Sequence, residues 1–495
     1  MLFLTTQKNK MKRKLNTIIV AGLLASFLYT INSQAQEKNS ISISSKEIIK
    51  VDANQYYKEP FRPQFHFSPE KKWMNDPNGM LFHNGTYHLF YQYYPEDIVW
   101  GPMHWGHATS KDLIHWQHKK IALFPDELGY IFSGSAVMDT NNTSGLGTKE
   151  NPPMIAVFTY HNMEFEKAGK INTQTQGLAY SLDQGETWKK YNANPIINNI
   201  TLKDFRDPKV FWNEDTNQWN LVLVAGDRAQ IYTSANLLQW KLESEFGQNK
   251  GAHGGVWECP DLFKVKVNGT QEEKWVLLVS INPGAPNSGS ATQYFVGDFD
   301  GKTFTTSQKE IKWVDYGTDN YAGVTYNDAP GGERIFLGWM SNWNYARDTP
   351  TTNWRSAMTL PRTLSLSTIK GDYVLQSQPV AQLDKQLSTD FSIEKIKLNK
   401  GVDKVFAYSN VNQSKIQFKA ENKNLKLVFS NDVNDLLVLQ YDAQKQTFAI
   451  DRRLSGKVNF EKSFGEKIHT TPTPNLITKN IDFQIIKPQN RFIEK

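Results

Sequence analysis

The chain has 495 residues, 39% of them apolar and 13% aromatic, with a formal net charge of +6. That length exceeds one ordinary core and points to two domains, and that composition excludes a disordered chain. Part of the positive excess sits in Lys8, Lys10, Lys12, Arg13 and Lys14; elsewhere cations and anions are interspersed without a basic stripe, so nucleic acid is not an expected partner.

Residues 1–36 read as an export signal: a basic stretch, an apolar run from Ile18 to Ile31, then the small residues of Ser33-Gln34-Ala35 for cleavage. Met11, directly before the basic cluster, is a second candidate start. Gly22, Ser26 and Thr30 interrupt the run, which is short for a bilayer span. The mature chain is therefore expected without an integral span, in the periplasm or outside the cell. The single cysteine, Cys259, excludes an internal disulfide, so stability must come from the core. Residues 37–60 are polar and charged and read as a linker.

From Phe61 onward, short β-rich runs alternate with turn signals, and no long stretch has helical period, so the fold class is all-β. HATSKDLIHWQ (from His107), AYSLDQGETWKK (from Ala179), YTSANLLQWKLES (from Tyr232) and VGDFDGKTFTT (from Val296) share a strand, a polar turn, an aromatic residue and a second strand. A unit recurring roughly every 50–70 residues in an all-β chain predicts a propeller. Four copies, with an opening copy near Asn84–Tyr93, predict five blades over residues 61–365. Residues 366–380 read as a linker, and 381–495, richer in Lys, Asn and Gln, as a smaller β-sandwich.

Three acids stand out by their surroundings. Asp76 lies in Trp73-Met74-Asn75-Asp76-Pro77-Asn78-Gly79, Asp207 in Phe205-Arg206-Asp207-Pro208, and Glu258 in Trp257-Glu258-Cys259-Pro260. Taken singly, Asp76 suits a β-turn and Arg206-Asp207 a plain ion pair. Glu258 among apolar neighbours is harder to place structurally, and such a setting can keep a proton on a carboxyl near neutrality. Together, one ionised carboxylate and one protonated acid suit glycoside hydrolysis. A propeller would bring them from different blades to one central mouth. Abundant Trp and Tyr offer flat apolar faces to a sugar, although a β-rich core uses them too.

WMNDPNG, FRDP and WECP in this order, with Phe132-Ser133-Gly134-Ser135-Ala136 between the first two, resemble glycoside hydrolase family 32, which holds invertases, inulinases and levanases. The resemblance runs from about Phe61 to about Leu366 and continues more weakly beyond. It implies a five-bladed β-propeller followed by a β-sandwich, and a retaining mechanism through a covalent fructosyl-enzyme. It also implies Asp76 as nucleophile, Glu258 as acid/base and Asp207 as transition-state stabiliser. Substrate contacts are expected from Trp73, Asn75, Gln92, Trp100, Phe132, Ser133, Arg206 and Trp339. The expected partner is a fructan or sucrose, cleaved at its terminal β-fructosyl bond; endo-levanase, fructosyltransferase and non-catalytic fructan-binding readings stand as alternatives.

No cofactor is expected. His104, His107, His115 and His118 have no ligand spacing and would alternate faces on a strand, so no metal site is expected either. Asn282–Ser290 lacks the lysine of a phosphate loop and is expected at the pocket rim. The family's sandwich ending has no counterpart in Ile481–Lys495, so an incomplete sandwich with an open edge is expected.

Overall fold

The computed structural model describes residues 2–5, 57–389, 391–398, 404–407, 411–474, 476 and 478–487. Most of the segment read as export signal and linker, and the last eight residues, lie outside these. Five antiparallel sheets follow one another in sequence, each beginning with its innermost strand. The innermost strands are Lys72–His83, Tyr130–Met138, Phe205–Asn213, Val256–Lys266 and Tyr321–Thr325. The sheets form the five blades of a propeller.

The propeller core is divided into five main apolar clusters, one between each adjacent pair of blades, including the pair formed by the fifth and the first, with a small additional cluster of Leu81, Ala136 and Met154 between the first and second. This follows from the near-continuous apolar middle strands, such as Met154–His161 and Gln218–Ala225, which bury both faces against neighbouring sheets. The ring closes where Trp354–Arg355 pairs in parallel with Lys72 and Trp73. Around the axis, inner strands are tied by side-chain bonds: Ser135 Oγ donates to the Pro208 carbonyl (2.9 Å), Lys209 Nζ to the Thr325 carbonyl (2.6 Å), and Asn327 Nδ2 to the Ala136 carbonyl (2.8 Å).

The repeated sequence unit corresponds to the outer hairpin of the first four blades, as in Ala229–Ser234 with Lys241–Phe246. Asn84–Tyr93 is not a further blade, because Thr86–Tyr94 is the second strand of the first one. The fifth blade comes instead from the other end, and this corrects the linker expected at 366–380. Arg362–Ile369 and Asp372–Pro379 form an eight-pair hairpin completing that blade. Its turn, Ile369-Lys370-Gly371-Asp372, is shorter than the polar turns of the other outer hairpins, and its aromatic residue is Tyr373, so the repeat is harder to see there.

The C-terminal sheet has six strands in the order Lys404–Phe406, Leu2–Thr5, Leu425–Ser430, Leu436–Asp442, Thr447–Leu454 and His469–Pro472. Alternating burial along Leu425–Ser430 turns Leu425, Leu427 and Phe429 toward a facing pair, Ser414–Glu421 and Asn480–Lys487. Among the described residues the second layer has only these two strands, and Phe391 and Ile393 are exposed. Leu2–Thr5 belongs to the segment read as an export signal. Cleavage after that segment would leave its place between Lys404–Phe406 and Leu425–Ser430 open.

Leu366 is fully buried between the fourth and fifth blades. Leu366→Ala is expected to lower propeller stability by about 2–5 kcal/mol, measured by urea denaturation. A linker residue would give a change near zero.

Candidate active site

In all five blades the innermost strand is bulged at the same level, with two residues opposing one on the second strand. The extra residues fall at Asn75-Asp76, Phe132-Ser133, Asp207-Pro208, Cys259-Pro260 and Ala322-Gly323. A bulge frees a backbone N–H from the ladder and re-aims side chains, which is why proline is tolerated in these segments. Asp207 (φ 63°), Cys259 (φ 45°) and Ala322 (φ 54°) lie in the left-handed region, a strained backbone for residues with a Cβ. Asp76, Ser133, Asp207, Glu258 and Tyr321 converge from the five blades.

Asp76 is held at both oxygens. Asn75 Nδ2 donates to Oδ1 (2.9 Å) and Ser133 Oγ to Oδ2 (2.8 Å). Behind them, Trp73 Nε1 donates to Asn75 Oδ1 (2.8 Å). Asn78, in the amide orientation its neighbours require, donates to Ser133 Oγ (3.1 Å) and accepts from Gln92 Nε2 (3.0 Å). The Cys259 thiol lies 3.8 Å from Asp76 Oδ2 and 3.6 Å from Asp207 Oδ2. Asp207 Oδ2 also accepts the Cys259 backbone N–H (2.9 Å), the donor released by the bulge.

Arg206 links the acids. Its Nη2 donates to Glu258 Oε1 (3.0 Å), its Nη1 to Asp204 Oδ1 (2.6 Å), and its Nε lies 3.9 Å from Asp207 Oδ2. The second oxygen of Glu258 accepts from the Tyr321 hydroxyl. Burial pushes Glu258 up to about 7 against the pull of Arg206, and the charges of Asp207 and Asp76 push it the same way. Burial raises Asp207 to about 6, again opposed by Arg206. Asp76 is raised by burial too, with the Asn75 and Ser133 bonds opposing. One cation shared among close carboxylates leaves room for one proton near neutrality, titrating as a property of the group.

The structure thus brings together all three sequence-identified acids. Phe132 and Arg206 are partly open next to them, and Trp100, edge-on to Phe132, is partly open as well. Asn75 and Ser133 are buried and bond Asp76 directly. Trp73, Gln92 and Trp339, expected as substrate contacts, instead sit behind the acids: Trp73 and Trp339 are fully buried, and Gln92 donates to the Ile131 carbonyl (3.0 Å). The reason is Trp343, which stacks on Trp73 and packs against Trp339 and is itself partly exposed. Sequence reading missed Trp343, Tyr321 and His161. His161 lies flat on Phe132 (4.3 Å, 5°), and its Nδ1 accepts from Gln174 Nε2 (3.1 Å), whose Oε1 faces Arg206. Only the second tryptophan of Leu337–Trp343 hinted at any of them. The loop Asn282–Ser290 touches Trp343, where the Trp343 N–H reaches Ser290 Oγ (3.4 Å), but its Asn287 binds the sandwich.

A family model described as the glycosyl hydrolases family 32 N-terminal domain matches residues 66–379. The chain belongs to glycosyl hydrolase family 32. It is a glycosidase acting on O-glycosyl bonds. It is 46% identical over 427 residues to a levanase of Bacillus subtilis, a match covering 84% of this chain and 62% of that protein. It is 41% identical over 453 residues to an extracellular exo-inulinase of Aspergillus ficuum, covering 85% of this chain and 84% of that one. The crystal structure of exo-inulinase from Aspergillus awamori superposes with a TM-score of 0.75 at 36% identity, covering 87% of this chain and 90% of that one. The family 32 model ends at 379, where the fifth blade ends, in agreement with the corrected boundary.

A carboxyl with a raised pKa destabilises the folded state wherever it is ionised. For Glu258 this penalty is complete above about 7 and fades as pH falls toward its ordinary 4.5. Glu258→Gln is therefore expected to raise Tm at pH 8, with the gain disappearing below about pH 4.5, as followed by calorimetry across pH.

Proposed function

We propose that this family 32 enzyme is an exported exo-acting β-fructosidase that releases fructose from the ends of levan, inulin or sucrose with retention of configuration. The observation that carries this is the division of labour among the acids. Asp76 has a hydrogen-bond donor on each oxygen, which favours the carboxylate. Glu258 is pushed up to about 7 and can hold a proton at neutral pH.

In the proposed sequence Asp76 attacks the anomeric carbon while Glu258 protonates the departing glycosidic oxygen, giving a fructosyl ester and a free alcohol. Glu258, now ionised, takes a proton from water as that water attacks the ester, and fructose leaves. Asp207 accepts hydroxyl hydrogen bonds from the fructosyl ring and stabilises its developing positive charge, with its orientation set by the Cys259 N–H. Trp100, Phe132 and Trp343 supply the partly exposed apolar walls. Support for fructan chemistry comes from the names of the relatives, a levanase and an exo-inulinase. Support for export comes from the basic-then-apolar N-terminal segment and from the description of the Aspergillus relative as extracellular. No helix among the described residues is long and apolar enough to cross a membrane.

Product analysis tests the reading. Fructose is expected as the sole early product from levan or inulin; a ladder of oligosaccharides would mark endo action. Asp76→Asn is expected to lose about 10,000-fold or more in kcat. Glu258→Gln is expected to lose about 100- to 10,000-fold on fructan, and far less on an aryl fructoside whose leaving group needs no proton. Full activity in Asp76→Asn would overturn the mechanism.

A further inference from the structure

We infer that Arg452, a residue of the C-terminal sandwich, is a positioning residue for Glu258, acting through Asp319 and Tyr321. The inference rests on Glu258 being the acid/base. It places part of the control of a propeller active site in the other domain.

Arg452 and Arg453 are neighbours on the strand Thr447–Leu454 and point opposite ways. Arg453 pairs with Asp451 of its own strand and is half exposed. Arg452 is buried against the propeller. Its Nη1 donates to Asp319 Oδ2 (2.8 Å), and its Nη2 to Tyr345 OH (3.1 Å) and Thr318 Oγ1 (3.3 Å). Its Nε donates to the Phe464 carbonyl (2.9 Å), and the guanidinium lies 3.7 Å over the Phe464 ring. Every nitrogen of the guanidinium is therefore engaged, in directions that only a planar fork can supply together. The other Asp319 oxygen accepts from Tyr345 OH (2.5 Å).

Asp319 stands two residues before Tyr321, the first residue of the fifth inner strand, whose hydroxyl donates to Glu258. The segment leading into Tyr321, residues 315–320, is held from both domains. Asn320 Nδ2 donates to Asp315 (2.8 Å), which pairs with Arg362 (3.1 Å). Asn342 Nδ2 donates to the Thr318 carbonyl (2.9 Å). Asn287 Nδ2 bridges the Tyr316 carbonyl (2.8 Å) and the Thr470 carbonyl of the sandwich (2.9 Å), and Asn287 Oδ1 accepts the Thr470 N–H (3.1 Å). Without Arg452, Asp319 loses the one cation paired with it among the described residues, and the sandwich side of this clamp loses its charged member. Tyr321 is then free to drift from Glu258.

The sign of the effect follows. The Tyr321 hydroxyl donates to the carboxylate and so favours the ionised form. The other groups facing Glu258 are Arg206 and Asp207 from the third blade and Asp76 from the first, with Cys259 beside it on its own strand. None of these touches Arg452. Loosening Tyr321 raises the pKa of Glu258, and the alkaline limb of kcat/KM moves up with it.

Arg452→Ala, assayed on fructan well below its Tm, is expected to lose about 10- to 100-fold in kcat, the scale of a misplaced reacting group. Its alkaline limb is expected to rise by about half a pH unit or more, a fraction of a bond to a charged group. Arg452→Lys, which keeps the charge on Asp319, is expected to fall between parent and alanine variant, and it carries the same measurement should the alanine variant not fold. Tyr321→Phe is expected to shift the limb the same way, and the double variant to shift it no further than Tyr321→Phe alone. Arg453→Ala is expected to leave kcat and the limb unchanged. A lower Tm in Arg452→Ala and Arg452→Lys with parental kcat and limb, or full additivity in the double variant, would overturn the proposal. An alkaline limb that persists in Glu258→Gln would instead overturn the assignment of the acid/base.

Discussion

A single extra residue in the innermost strand of each blade governs where the acids point. Regular pairing would alternate side chains between the two faces of each sheet and bury them against neighbouring blades. The two-against-one register at Asn75-Asp76, Phe132-Ser133, Asp207-Pro208, Cys259-Pro260 and Ala322-Gly323 interrupts that alternation at one level around the ring. Side chains at that level turn to the mouth of the channel. Backbone groups released from the ladder, such as the Cys259 N–H, become donors to the acids. The five inter-blade clusters hold the strained backbone in place.

Convergence creates an electrostatic problem that the site uses. Three carboxyls lie in one desolvated region with Arg206 as the cation between them. All three are pushed upward by burial, and each is pulled back by a different set of partners. Asp76 receives two neutral donors, Asp207 the Arg206 charge and a backbone N–H, and Glu258 the same guanidinium and a phenol. At Glu258 the charges of Asp207 and Asp76 add to the push of burial and outweigh the donors on its oxygens. The tryptophans behind Asp76 serve this arrangement by orienting Asn75.

The sandwich contributes through contact rather than chemistry. Its strands Thr447–Leu454 and His469–Pro472 bear on the segment that leads into the fifth inner strand. That segment ends at the phenol on Glu258, so the two domains share one network of buried polar groups.

Much was legible in the sequence because its causes are local. Period-2 runs and turn residues made the chain all-β, the aromatic hairpins revealed the repeat, and the Pro-bearing motifs singled out Asp76, Asp207 and Glu258. The fifth blade was misplaced because its outer hairpin has a tight glycine turn in place of the longer polar turn that marks the repeat. Tyr321 carried no signal: it reads as an ordinary strand residue until the ring closes and brings the fifth blade beside the fourth. Trp73 and Trp339 looked like sugar contacts, but their burial depends on Trp343, which arrives from a loop. By itself, then, the sequence determined which acids are present and that turn-like, Pro-bearing segments carry them, since composition and backbone preference act within a few residues. Only the tertiary structure decided that burial raises all three acids, which aromatics are open, and that Arg452 lies behind the site, because those depend on burial and on partners that are distant in the chain.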